Sequence, residues 1–143
     1  MPAIDRALRN FGAFLASCSI DGGLLFWMPC SFMLVLLIGS FLRVPPAARR
    51  QFWVLSILPA FWIFIGLWGG YFRFDWWHPL MRPPGWVGWP IEYGLWIFAL
   101  AALALIVHLK AARAFALLFA AFNFYFMWWM TLFAGMAVTG IWL

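Results

Sequence analysis

Charged side chains are scarce in this chain. Only 9% of its 143 residues are Asp, Glu, Lys or Arg, and 68% are hydrophobic, whereas a soluble domain typically carries about 25% charged residues. Together with a mean hydropathy of +0.98, this composition excludes a soluble globular domain and predicts an all-α integral membrane protein. The net charge of +5 comes from basic residues in short connectors beside apolar runs. It therefore indicates orientation signals and contacts with membrane lipids, and no nucleic-acid partner.

Residue types that build catalytic and metal sites are also few. The sequence contains no Ser/His/Asp, paired-carboxylate, zinc or phosphate-loop arrangement. His78 and His108, the two histidines, are expected at opposite ends of the molecule, so they cannot jointly ligate a haem. Cys18 and Cys30 are too far apart for a CxxC pair, and two unrelated free thiols are favoured over a disulfide. We expect no enzymatic activity and no metal site.

Four long apolar stretches are present. At about 1.5 Å per residue, a helix of about 20 residues covers the hydrocarbon core of a bilayer. The predicted spans are residues 23–42, 51–72, 91–109 and 114–143. Because the connectors at 43–50 and 110–113 are short, neighbouring helices must be antiparallel, and the sequence predicts an up-down bundle of four transmembrane helices in one domain. Pro59 predicts a kink in the second span.

Residues 4–20 show the period of a helix with two different faces. Residues 15–18 resemble a bacterial lipobox, but the apolar part before them is too short for a signal peptide. Apolar side chains recur at Ile4, Leu8, Phe11, Leu15 and Cys18, and the opposite face carries Asp5, Arg6, Arg9 and Asn10. This pattern predicts an amphipathic helix lying in the membrane interface.

Three features of the spans predict helix packing. Gly66 and Gly70 form a GxxxG pair, which allows a second helix to approach closely. Ala112, Ala116 and Ala120 form a stripe of small residues at the start of the fourth span. Asn123 lies inside that span, where an interhelical hydrogen bond contributes about 0.6 kcal/mol on average.

Residues 73–90, RFDWWHPLMRPPGWVGWP, form a predicted extramembrane loop rich in tryptophan and proline between the second and third spans. In one interpretation it is a rigid cap within the aromatic belt, and its arginines pair with Asp75 and lipid phosphates. In the other it is the lid of a pocket for a flat amphipathic ligand such as a quinone, carotenoid or tetrapyrrole, or for a lipid. The candidate contact residues are Arg73, Trp76, Trp77, His78, Arg82, Trp86, Trp89 and Glu92. Glu92 is either a charge partner for these arginines or a group that accepts a proton or binds a cation at the mouth of the pocket.

Within this loop, the run WWHPLMRPPGWVGWP resembles the loop of the tryptophan-rich sensory protein (translocator protein) family. The matching residues are Trp77, Leu80, Arg82, Pro83, Pro84, Trp86 and Val87. In that family the loop follows the first of five spans, whereas here it follows the second of four. The resemblance covers the loop alone.

Basic residues also predict the orientation. Residues 43–50 and 110–113 hold five Lys or Arg and no acid, and the other side holds four. The positive-inside rule therefore places both termini and the tryptophan-rich loop in the periplasm of a bacterial inner membrane. We expect a non-catalytic subunit that packs against a larger membrane protein or another copy, in an energy-transducing assembly such as a respiratory or photosynthetic complex. The alternative is a binding or transport protein for a small hydrophobic ligand.

Overall fold

The computed structural model describes residues 2–20, 23–73 and 83–140. Of these residues, 91% are helical and none lies in a strand. Three helical segments are long and apolar enough to cross a membrane, namely Phe52–Tyr71, Gly85–His108 and Lys110–Thr139, and Phe26–Leu42 is a shorter apolar helix. The chain is therefore an all-helical protein with the composition of a membrane protein.

The described residues form six α-helices. They are α1 (Pro2–Ile20), α2 (Gly23–Leu42), the single turn α3 (Pro46–Arg49), α4 (Ile57–Tyr71), α5 (Trp89–His108) and α6 (Arg113–Thr139). Short 3₁₀ segments at Phe52–Ser56, Gly85–Gly88 and Lys110–Ala112 lead into α4, α5 and α6. α2 begins at Gly23 (φ 44°) and α6 ends at Gly140 (φ 72°). Both residues adopt left-handed backbone conformations that glycine tolerates without a steric penalty.

α6 lies at the centre of the molecule. α4 runs beside it in the same direction, with Gly69 against Ala134 at their closest approach. α5 runs back along α6, so that Gly94 meets Met127 near one end and Ala102 and Ala120 share a cleft further along. α2 also runs opposite to α6, since the Phe26 and Phe126 rings lie 5.7 Å apart and the Phe41 and Phe115 rings also lie 5.7 Å apart.

Pro59 and Pro29 occupy different positions in their helices. Pro59 was expected to kink the second span, but it lies in the first turn of α4, directly after the 3₁₀ segment. A proline costs least in a first turn because the amide it lacks would have no intrahelical acceptor. Pro29, by contrast, lies inside α2 beyond its first turn.

Part of the predicted loop at residues 73–90 is helical. α4 ends at Tyr71, and the helical segment that begins at Gly85 includes residues 85–90. Trp86 and Trp89 therefore belong to the start of the α5 segment, with Pro90 in the first turn of α5. This helical start was not predicted from the sequence, because residues typical of loops occur there, namely Pro83, Pro84, Gly85 and Gly88.

α1 packs on α4. Ala7 and Phe14 are buried, and Phe11 and Leu15 of the predicted apolar face also pack against the core, whereas Ile4 and Leu8 of that face are 66% and 55% exposed. Asn10, assigned to the polar face, contacts α4 instead. α1 therefore packs through part of the predicted apolar face together with Ala7 and Asn10, because the glycine surface of α4 admits the small Ala7 and offers a carbonyl to Asn10.

Candidate functional site

Three aromatic side chains meet where α4 ends and the α5 segment begins. We call Trp68, Phe72 and Trp86 the tryptophan cluster. The ring centroids of Trp68 and Phe72 lie 4.8 Å apart, and Trp86 lies 6.0 Å from Trp68 and 5.7 Å from Phe72. The Trp68 indole Nε1 donates a hydrogen bond to the carbonyl of Val87 at 2.9 Å. This bond satisfies the indole N–H while the rings bury apolar area, so the cluster holds the two helix ends together.

A short chain of hydrogen bonds ties α1 to the same end of α4. The Asn10 side-chain amide donates to the Gly70 carbonyl at 2.8 Å, and Arg73 Nη1 donates to Asn10 Oδ1 at 3.1 Å. The last carbonyls of a helix lack intrahelical donors. Asn10 supplies one of those missing donors, and it simultaneously orients the exposed Arg73 guanidinium.

An apolar groove of about 390 Å³ lies between α1 and α4 beside the tryptophan cluster. We call it the α1–α4 groove; its lining residues are Ile4, Ala7, Leu8, Phe64, Leu67, Trp68, Tyr71 and Phe72. Ligand pockets typically enclose about 300–1,000 Å³ and are lined mainly by apolar and aromatic side chains. The groove therefore has the size and lining of a site for a small hydrophobic molecule.

The predicted contact residues fall into two groups. Trp76, Trp77, His78 and Arg82 lie outside the described residues. Arg73, Trp86, Trp89 and Glu92 lie near one end of the molecule, and all four are exposed. Trp86 belongs to the tryptophan cluster and Arg73 contacts Asn10. Glu92 lies in the first turn of α5, where a carboxylate interacts favourably with the helix N-terminus.

The predicted packing residues lie between helices. Gly66 faces the Phe11 ring of α1 and Met130 of α6, and Gly70 faces the backbone of Ala7. Ala112, Ala116 and Ala120 are buried. Asn123 is 3% exposed; its Oδ1 accepts a hydrogen bond from Trp62 Nε1 at 3.1 Å, and its Nδ2 donates to the Phe119 carbonyl at 2.8 Å.

Three structurally central residues were not predicted as such from the sequence. Asn10 was assigned to the polar face of its helix, Gly69 was passed over in favour of Gly66 and Gly70, and Trp68 was not among the candidate contact residues. The run of two glycines at 69–70 was the available signal. In an α-helix adjacent residues point about 100° apart, so neighbouring glycines open two surfaces, and here Gly70 faces α1 while Gly69 faces α6.

Metal chemistry finds no support in the part of the chain that the structure describes, where no three His, Cys, Asp or Glu side chains come together. The Cys30 thiol is free and buried in α2. Comparison of the chain with protein-family models, with curated proteins and with solved structures finds no match.

Proposed function

We propose that this chain is a non-catalytic subunit of a larger membrane complex, anchored as an up-down bundle of four spans formed by α2, α4, α5 and α6. In this proposal α2 also crosses the membrane, in addition to the three longer apolar segments that contain α4, α5 and α6. It has 20 residues, which at about 1.5 Å per residue covers the roughly 30 Å hydrocarbon core. α1 is then an accessory helix packed at one end of the bundle.

The outward face of α2 is the observation that carries this proposal. α2 packs on the rest of the chain through one side, where Phe26, Cys30 and Leu37 are buried. The opposite side carries a continuous stripe at helical spacing, formed by Met28, Phe32, Val35, Gly39 and Leu42, and every member is exposed. A β-carbon added at Gly39 would meet nothing within 4 Å, so among the described residues this glycine is not needed for a close contact.

In a bilayer, lipid chains are as apolar as these side chains, so burial alone does not favour a protein partner over lipid. A small residue among large ones changes that balance, because it lets a second helix approach closely enough to gain van der Waals contact. The outward stripe of α2, with Gly39 between Val35 and Leu42, supports docking of a helix from another membrane protein.

A purification experiment tests the proposal. The tagged chain is extracted from its native membrane in mild detergent, and co-eluting proteins are identified by mass spectrometry. We expect a larger membrane protein in a fixed ratio. Gly39→Leu should abolish that association while leaving the chain folded, since the space beside Gly39 is open.

Gly12→Leu is the matched control, because Gly12 in α1 also has nothing within 4 Å of an added β-carbon. It should keep the partner. A wild-type chain that elutes without any stoichiometric membrane protein would contradict the subunit function. If the partner still co-elutes with the Gly39→Leu variant, then the contact does not lie on the outward stripe of α2.

The α1–α4 groove favours a second candidate function, the binding of a small hydrophobic ligand such as a quinone, carotenoid, tetrapyrrole or lipid. Leu8 lines this groove and is half-exposed. Leu8→Trp should therefore fill it without disturbing a buried contact. Under this function, solvent extraction of the purified chain yields a molecule that the variant lacks; identical extracts from the two proteins would exclude the groove as its site.

Cellular placement is part of the proposal. The five basic residues that follow α2 and lead into α4 and α6 support a cytoplasmic position for that end of the bundle. The termini and the tryptophan-rich segment would then face the periplasm of a bacterial inner membrane. Respiratory and photosynthetic complexes, which are rich in helical membrane subunits, are the assemblies we propose as hosts.

A further inference from the structure

A second apolar groove runs along α6 between α2 and α5. We call it the α6 groove; its volume is about 400 Å³. Ala99, Ala102, Ala120 and Ala121 keep it open, and Leu117 and Trp128 of α6 remain more than half exposed within it. The surface that lines it is apolar. The groove therefore suits a hydrocarbon chain.

One end of this groove leads to a group of basic side chains. α2 ends at Leu42, α5 ends at His108 and α6 begins at Arg113. The Phe115 ring lies 5.7 Å from Phe41 and stacks on Phe52 at 4.6 Å. The end of α2 and the starts of the α4 and α6 segments therefore meet at one place, which we call the basic end.

Arg43, Arg50, Lys110 and Arg113 are exposed at the basic end. Residues 40–56 and 107–119 contain no Asp or Glu. Arg49 is different, because its guanidinium lies 4.6 Å from the Phe41 ring centroid and its Nε donates to the Val44 carbonyl at 3.2 Å. Arg49 closes the connector, and the other four cations face outward without an acidic partner in the described part of the chain.

Arg113 belongs to the basic end and also lies close to the α6 groove. It precedes Leu117 of the α6 groove by four residues, and residues four apart lie on the same helix face about 6 Å apart along the axis. A molecule lying in the groove with an anionic group at its end would therefore place that group beside Arg113. Arg43 directly follows the end of α2, and Lys110 lies in the 3₁₀ turn directly before Arg113.

We propose that the α6 groove and the basic end together bind one anionic glycerophospholipid, with an acyl chain in the groove and the phosphate near Arg43, Lys110 and Arg113. Charge complementarity selects this occupant. A neutral chain gains nothing over bulk lipid in a purely apolar groove, whereas basic side chains beside helix ends attract anionic headgroups. This site requires the chain to be in a membrane, but it does not depend on any protein partner.

Native mass spectrometry of the purified full-length chain tests the site. The chain is titrated with phosphatidylglycerol and, separately, with phosphatidylcholine carrying the same acyl chains. We expect one phosphatidylglycerol to be retained in preference. Loss of each cation should weaken its binding roughly fivefold, so that Arg43→Gln/Arg113→Gln lowers the affinity on the order of 25-fold.

Two further variants locate the lipid. Arg6→Gln/Arg9→Gln removes the same charge from exposed α1 positions and should leave binding unchanged. Ala121→Phe fills the α6 groove while every cation remains, and it should also weaken binding. Circular dichroism and gel filtration confirm that each variant remains folded, which is expected because all five altered side chains are exposed.

Four results would overturn the proposal. They are equal retention of the two lipids, equal effects of the two double Arg variants, unchanged binding by Ala121→Phe, and displacement of phosphatidylglycerol by inorganic phosphate. The last result would indicate a site for free anions. None of these measurements involves a co-purifying protein, so they succeed or fail independently of the subunit function.

Discussion

Gly69 leaves less room for an added side chain than the other glycines of the described residues. A β-carbon built there would overlap the side chain of Ala134 and would lie 2.6 Å from its Cα atom. At Gly66 the nearest atoms belong to the Phe11 ring, which can rotate away, and at Gly70 the nearest is the Ala7 carbonyl oxygen at 2.8 Å. These three glycines of α4 are therefore not equivalent. Gly69 faces the backbone of the central helix, where no side-chain rotation relieves a clash.

Gly69→Ala should destabilise the protein. Alanine favours helix over glycine by about 1 kcal/mol in water, but overpacking a close contact costs about 1–3 kcal/mol, and here the clash involves backbone. Gly39→Ala is the control, since it gains the same helix propensity with nothing within 4 Å. Thermal unfolding in detergent should rank the variants with Gly39→Ala at or above wild type and Gly69→Ala below it. Equal melting temperatures would contradict the close contact between α4 and α6.

At the scale of elements, α1 shows how far periodicity predicts structure. The helix itself and its amphipathic character follow from the spacing of apolar residues in 4–20. Its neighbour does not, because an apolar helix face is equally satisfied by lipid or by protein. The Asn10 side chain links α1 to α4 through its hydrogen bond to the Gly70 carbonyl. Because asparagine is polar, it was predicted on the polar face of α1. A side-chain amide that caps a distant helix end has no local signature in the sequence.

The sequence predicts that the apolar helices exist more accurately than it predicts the residues at which they begin and end. Apolar runs identify α2, α4, α5 and α6, since few sequences other than membrane helices are so apolar for so long. Their ends depend on 3₁₀ turns before α4 and α5, which proline and glycine allow but do not specify. The candidate site was predicted least well. Its α1–α4 groove arises between two elements far apart in the chain.

Asn10→Ala should loosen α1 without unfolding the rest of the molecule. The variant loses the hydrogen bond to the Gly70 carbonyl and the acceptor for Arg73, and one such bond contributes about 1 kcal/mol. Hydrogen exchange within residues 2–20 should then accelerate about fivefold, while exchange in α6 is unchanged.

Asp5→Ala provides the comparison for that experiment. Asp5 forms an ion pair with Arg9 at 2.9 Å on the exposed side of α1, and exposed pairs contribute little. Hydrogen exchange within residues 2–20 of the Asp5→Ala variant should match that of the wild type. Uniform acceleration over the whole chain by Asn10→Ala would show that α1 is an integral part of the cooperative core.

At the scale of the whole molecule, one end carries basic residues without acids, and the described acidic residues lie at the end that holds the tryptophan cluster. The basic end carries Arg43, Arg49, Arg50, Lys110 and Arg113. At the other end lie the tryptophan cluster, Asp5 and Glu92. Five cations against four is a small numerical difference, but the five lie in connectors too short to be translocated as folded domains, and such connectors weigh most in the positive-inside rule.

This distribution predicts the result of labelling from outside the cell. Ala47 is exposed in the connector after α2, and Gly85 is exposed at the start of the α5 segment with nothing within 4 Å of an added β-carbon. Single cysteines at these positions are introduced into a Cys18→Ser/Cys30→Ala background. A membrane-impermeant maleimide should label Gly85→Cys in intact cells, and it should label Ala47→Cys only after the membrane is permeabilised. The opposite pattern would place the basic end outside, away from the anionic cytoplasmic leaflet. Labelling at both positions in intact cells would mean that α4 does not cross the membrane.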